Sequence, residues 1–175
     1  MVTIRRILLP TDFSPQAGRA REYAIEFAVK FGAELHLLHV IKPMATPSLG
    51  VPDYGYIESP AMVTELEQSS RDALEAVLDR EFAANHPVTT QVRIGTPLVE
   101  ILSYADEFEI DLIVMGTLGR TGLSHLLMGS VAENVVQKAK CAVLTIHPLA
   151  TTEPLPVPVE SASLWTIEPD LQSAI

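Results

Sequence analysis

Cysteine is almost missing from this chain of 175 residues: Cys141 is the only one. A single thiol cannot close an intrachain disulfide, and such sparse use fits a reducing compartment. Basic residues are also scarce. Twelve Lys and Arg face 22 Asp and Glu, leaving a formal net charge of −10. That balance excludes the basic surface of a general nucleic-acid binder. It leaves a nucleotide possible as ligand, because one local cation and several N–H donors can hold a phosphate. No apolar run approaches the roughly 18 residues of a membrane span. The run after Arg5-Arg6, Ile7-Leu8-Leu9, stops at Pro10 and is too short for a secretory signal. The expectation is a soluble cytoplasmic protein with no membrane and no nucleic-acid partner.

The familiar catalytic signatures are missing too. There is no G-x-x-x-x-G-K-[ST] loop, and residues 116–130 contain no lysine. No G-x-G-x-x-G follows the first apolar strand, and no G-x-S-x-G elbow occurs. His36, His39, His86, His125 and His147 show no metal-binding spacing. His36 and His39 are three apart on a strand and so point to opposite faces. No base–nucleophile pair is visible. The chain offers a binding site more readily than a catalytic one.

What is present is a regular alternation. With 47% hydrophobic and 19% charged residues the chain is globular, and its length suits one domain. Strands are predicted at Ile4–Leu9, Glu34–Ile41, Val88–Ile94, Asp111–Met115 and Ala142–Ile146. Ser14-Pro15 gives a cap and a first helical proline for a helix ending at Gly32. Its inner face reads Ala17, Ala20, Ala24, Phe27, Ala28 and Phe31. Ser59-Pro60 repeats the start signal for one long helix to about Ala84. Further helices are expected from Pro97 to Phe108, with Leu98, Ile101, Leu102, Ala105 and Phe108 inward, and from Ser130 to about Ala139, with Val131, Ala132, Val135 and Val136 inward. Strand and helix alternate, so an α/β fold with a five-stranded parallel sheet and helices on both faces is expected.

Residues 42–60 form a long loop rich in proline and glycine. Residues 1–148 make up the domain. The segment 149–175 is a proline-rich acidic tail that reads either as a flexible end or, through Ser163–Ile167 with Trp165, as a docking segment.

In such sheets ligands bind beyond the carboxyl ends of the strands. Two loops there carry unusual chemistry. Pro10-Thr11-Asp12-Phe13-Ser14 follows the first strand. Gly116 to Ser130, holding Gly119, Gly122 and Gly129, follows the fourth. If the two strands are neighbours, the order is 3-2-1-4-5 and both loops border one crevice. Ser130-Val131-Ala132-Glu133 reads as a capping box. Backbone N–H groups of Gly116, Gly119, Gly129, Ser130 and Val131 could cradle phosphates. Equally, the glycines could serve a long turn needing positive φ. Arg120 could meet a phosphate or simply be solvated. Asp12 could accept from ribose hydroxyls or hold a metal, or could stabilise an Asx turn ahead of Ser14.

The spacing Gly116-x2-Gly119-x9-Gly129-Ser130 resembles the G-x2-G-x9-G-[ST] motif of the universal stress protein family. Ile7-Leu8-Leu9-Pro10-Thr11-Asp12-Phe13-Ser14 is similar to that family's first strand and turn. The likeness spans about Met1–Pro148 and implies a sheet of order 3-2-1-4-5. It implies ATP as ligand, with Asp12 at the ribose, the Val40 backbone at the adenine, and Gly116, Gly119, Gly129, Ser130 and Val131 at the phosphates. Arg120 stands where the family often has a basic residue. Pro10, Thr11 and Met115 complete the set at the strand ends, and Asp12 could hold a magnesium ion accompanying the nucleotide. A homodimer through the fifth strand, Ala142–Ile146, is also implied, although the tail could cover that edge.

Three functions are compatible with these features, in order of preference. The first is a nucleotide-binding stress or regulatory protein with little or no hydrolysis. The second is a slow ATPase using Asp12 and magnesium. The third is an interaction module without a ligand.

Overall fold

The computed structural model describes residues 3–43, 60–117 and 128–147. Five strands, β1 (Arg6–Pro10), β2 (Glu34–Ile41), β3 (Val88–Ile94), β4 (Leu112–Gly116) and β5 (Ala142–Ile146), form one sheet. All neighbours are parallel and the order is β3-β2-β1-β4-β5, as the sequence implied. Helices α1 (Pro15–Phe31), α2 (Pro60–Glu75), α3 (Arg80–Asn85), α4 (Pro97–Glu107) and α5 (Ser130–Lys138) connect them.

The order reverses between β1 and β4, and this divides the helices. Alternate strand residues feed two separate cores. Ile7, Leu9, Leu35, Leu37 and Val114 pack with Ala20, Ala24 and Ala28 of α1 and Leu74 of α2. Leu8, Leu38, Ile113 and Met115 pack with Ile101 and Tyr104 of α4 and Ala132 and Val135 of α5. The three α1 alanines are fully buried. Their small side chains let the helix lie close over the sheet. Phe31, expected inward, ends the helix and is 48% exposed. Val136, also expected inward, is 48% exposed, and the fully buried Tyr104 takes a place on α4 where no inward residue was expected.

Local signals set the ends. The Ser14 hydroxyl accepts the Ala17 N–H at 3.3 Å, and Gly32 closes α1 at φ 61°. At the other end of β1, one Asp111 carboxylate oxygen accepts the N–H groups of Arg5 and Arg6 at 2.7 and 3.0 Å. This pins the start of β1 beside the start of β4.

The single helix expected over 60–84 is two. Apolar spacing runs on through Leu74, Leu78 and Phe82, but the backbone breaks after Glu75 and restarts beyond Asp79, which is extended at φ −65°, ψ 140°. Arg21 of α1 donates to the Val77 carbonyl at 2.9 Å, so the break is bonded to the neighbouring helix.

Candidate functional site

The carboxyl ends of the strands open onto one cavity of about 520 Å³. Its walls come from β1 and its turn (Pro10, Thr11, Asp12), the end of β2 (Leu38, Val40, Lys42), the start of α4 (Thr96, Pro97, Leu98), the end of β4 (Met115, Gly116, Thr117) and α5 (Gly129, Ser130, Val131, Ala132, Asn134). Of the residues expected at a nucleotide, Pro10, Thr11, Asp12, Val40, Met115, Gly116, Gly129, Ser130 and Val131 all line it. Gly119 and Arg120 lie outside the described residues.

The Asp12 turn is built from short-range bonds. The Thr11 N–H extends the β1–β2 ladder to the Leu38 carbonyl at 2.9 Å. The Thr11 hydroxyl accepts the Phe13 N–H at 3.1 Å, and Asp12 Oδ1 accepts the Ser14 N–H at 3.0 Å. Asp12 therefore does stabilise an Asx turn, and it faces the cavity as well. Phe13 adopts φ 61°, which costs a residue with a Cβ about 1 kcal/mol or more. Its ring rests on His39 with centroids 4.4 Å apart, and His39 Nδ1 donates to the Thr11 carbonyl at 2.8 Å.

The far wall differs from its reading in the sequence. Ser130 is the first helical residue of α5, and Gly129 is the cap. Gly129 is extended at φ −73°, ψ 150°, and its carbonyl accepts the Glu133 N–H at 3.0 Å. That one-residue offset moves Glu133 out of the position a Ser130 capping box requires. The Gly129 N–H is not aimed at a ligand either, since it donates to the Thr117 carbonyl at 2.6 Å. The N–H groups of Ser130, Val131 and Ala132, in the first turn of α5, have no intrahelical partner by the geometry of a helix start. All three residues border the cavity, and the helix dipole adds positive potential there.

Nor do the glycines answer to backbone strain. Gly116 closes a β-strand and Gly129 has an ordinary negative φ. Their conformations are open to any residue, so the turn reading does not account for them. Both glycines line the cavity.

Three further wall residues escaped the sequence reading. Lys42 follows β2 directly and is the cation among the described lining residues. Its signal was its place at a strand's carboxyl end, beside Val40. Asn134 is one helical turn beyond Ser130, to whose carbonyl it donates at 2.8 Å. Thr117 is buried, donates its N–H to the Ile146 carbonyl at 3.0 Å and places its hydroxyl 2.8 Å from His147 Nδ1.

Among the described residues no cluster of three or more His, Cys, Asp or Glu could hold a metal ion. No helix there is long and apolar enough to cross a membrane. His36 lies away from the cavity, bonded through Nδ1 to the Tyr104 hydroxyl at 2.9 Å. Burial pushes the Cys141 thiol pKa up, which makes it a poor nucleophile.

The model of the universal stress protein family matches residues 3–147. The chain belongs to that family. Universal stress protein MJ0531 of Methanocaldococcus jannaschii is 36% identical over 143 residues, 81% of each chain. The solved structure of MJ0577, from the same organism, is 29% identical with a TM-score of 0.72, covering 86% of this chain and all of that one. A further universal stress protein, solved in complex with cAMP, is 23% identical with a TM-score of 0.56 and shares the fold, covering 83% of this chain and 98% of its own.

Proposed function

We propose that this universal stress protein binds ATP in the crevice between the Asp12 turn and the start of α5, and acts by holding the nucleotide with little or no hydrolysis. The observation that carries the reading is that Gly116 and Gly129 border the cavity in backbone conformations that do not require glycine. A missing Cβ at both places makes sense where a ligand's phosphates approach the backbone. The unpaired N–H groups at the start of α5 would receive those phosphates. Asp12 would accept from the ribose hydroxyls, and Val40, Leu98 and Met115 offer an apolar wall to the base.

The donor set argues for holding over turnover. Asp12 is the carboxylate among the described lining residues, and one of its oxygens already serves the turn. A magnesium ion would come with the triphosphate, which supplies most of its oxygen ligands.

The test is to release and identify any nucleotide that accompanies the purified protein, and to titrate nucleotide-free protein with ATP at millimolar magnesium by calorimetry. Saturable one-to-one binding, with ATP recovered intact after prolonged incubation, is expected. No heat and no retained nucleotide would overturn the proposal. Steady release of ADP, abolished in Asp12→Ala with binding retained, would replace it with a slow ATPase.

A further inference from the structure

The fold joins a hydroxyl and an imidazole that lie 30 positions apart in the chain. β4 and β5 run in register with Gly116 beside Ile146, and one step further Thr117 stands beside His147. Thr117 Oγ1 lies 2.8 Å from His147 Nδ1. His147 is exposed and does not border the cavity. Thr117 does border it, yet is only 7% exposed.

The backbone of Thr117 is already committed. Its N–H donates to the Ile146 carbonyl at 3.0 Å, and its carbonyl accepts the Gly129 N–H at 2.6 Å. What remains to face the cavity is the side-chain hydroxyl. The bond to Gly129 sets that hydroxyl against the first turn of α5, whose N–H groups lack intrahelical partners. It therefore belongs to the phosphate end of the crevice.

Counting hydrogens decides what the hydroxyl can do. A hydroxyl has one hydrogen and two lone pairs, and a neutral imidazole has one N–H and one bare nitrogen. Two arrangements join the pair. In the first, the hydroxyl donates to Nδ1 and keeps no hydrogen for a ligand. In the second, Nδ1 carries the hydrogen and donates to Oγ1, which frees the hydroxyl's own hydrogen. The Ile146 carbonyl, 3.5 Å from Oγ1, is too distant to hold that hydrogen firmly. An anion in the cavity selects the second arrangement, because a bond to an ionised acceptor is about twice as strong as a neutral one. The chain from His147 through Thr117 to the anion then polarises each bond in the same sense.

We infer that Thr117 is a further phosphate-binding residue, whose hydroxyl donates to the nucleotide's phosphate chain. His147 is the positioning residue that turns the hydroxyl there by donating from Nδ1. The inference rests on the nucleotide reading of the crevice. It adds a side chain that senses phosphate and an exposed ring whose proton position follows occupancy.

The test uses the full chain, calorimetry with ATP and with adenosine at millimolar magnesium, and nitrogen NMR of the His147 ring. Thr117→Val keeps the shape and removes the hydroxyl, Thr117→Ser keeps the hydroxyl, and His147→Ala removes the ring that orients it. Thr117→Val is expected to weaken ATP ~10-fold or more and to leave adenosine unchanged. Thr117→Ser restores most of the loss. His147→Ala weakens ATP by less in the parent, and not at all in the Thr117→Val background. With ATP bound, Nδ1 carries a hydrogen. Equal losses for ATP and adenosine would reduce Thr117 to a structural role and overturn the inference. So would additive losses in the double variant, or a bare Nδ1 in the ATP complex, where the hydroxyl must still donate to the ring. A parent protein that binds neither ligand overturns the nucleotide reading itself. A parent that binds ATP no better than Thr117→Val overturns only this inference.

Discussion

The Gly129 N–H donates to the Thr117 carbonyl at 2.6 Å, and this bond ties the end of β4 to the start of α5. The two walls that meet at this point are thus fixed by backbone alone. Gly129 contributes a donor and an absence of side chain, and the two contributions can be separated.

Gly129→Ala keeps the donor and fills the space. Because φ is −73°, alanine is allowed there, and stability should change by no more than about 1 kcal/mol. ATP binding should weaken ~10-fold or more, through steric exclusion. Thermal melting and calorimetry on the same sample check this. A variant that melts normally and still binds ATP with parental affinity would remove the main support for the phosphate site.

Asp12 has two tasks that different substitutions divide. Asp12→Asn retains an oxygen to accept the Ser14 N–H but loses the charge. Asp12→Ala loses both. Each is expected to weaken nucleotide binding, by about 1.5–3 kcal/mol for loss of a charge-assisted hydrogen bond. Asp12→Ala alone should also lower the melting temperature. Equal melting of the two variants would show that the Asx turn contributes nothing to stability.

His36 gives the fold a pH dependence of its own. Burial, the largest influence, lowers its pKa below the ordinary 6.5, against the opposing pull of Glu34 at 3.5 Å. Arg6 adds to the lowering, and the Tyr104 hydroxyl bonded to the ring is itself pushed up to about 12. As pH falls below 6.5, the unfolded chain takes up a proton that the native site resists. Stability therefore declines through that window and levels off once the native ring also protonates. Urea midpoints between about pH 8 and pH 5 should show the decline. It should shrink in His36→Gln, and an unchanged slope in that variant would assign the effect to other groups.

Arg21 closes the break between α2 and α3 through the Val77 carbonyl. Arg21→Met keeps the aliphatic stem and removes the bond. A loss of about 1–2 kcal/mol is expected for a carbonyl left without its partner. ATP affinity should be untouched, because Arg21 does not border the cavity. A variant with normal stability would mean that water replaces the guanidinium without cost.

Much of the fold was legible because its signals are local. Ser14-Pro15 and Gly32 bracket α1 by capping chemistry that any neighbours would leave intact. The near-continuous apolar run Glu34–Ile41 marks a strand covered on both faces, and the partial alternation of Val88–Ile94 marks an edge. Signals that depend on tertiary partners were hidden. Leu74, Leu78 and Phe82 keep helical spacing across a backbone break, so periodicity alone cannot reveal it. Tyr104 reads as an ordinary helix residue until His36, on a strand 68 positions away, receives its hydroxyl. At the site, Asp12 and the glycines announced themselves by type and place. Lys42 and Thr117 did not, because their relevance comes from which strand ends lie side by side. The cap at α5 was misplaced by one residue because Gly129 and Ser130 are both competent caps, and the loop path into the helix decides between them.

Phe13 has a consequence beyond its contacts. A residue with a Cβ holds a left-handed conformation there, clamped by His39, whose own proton is committed to Thr11. The conformational entropy of arranging this turn is thus lost during folding and not on binding. A ligand arriving at Asp12 would meet a turn already in place, so few contacts could give useful affinity. Relaxing the clamp would weaken binding without removing a single atom that touches the ligand.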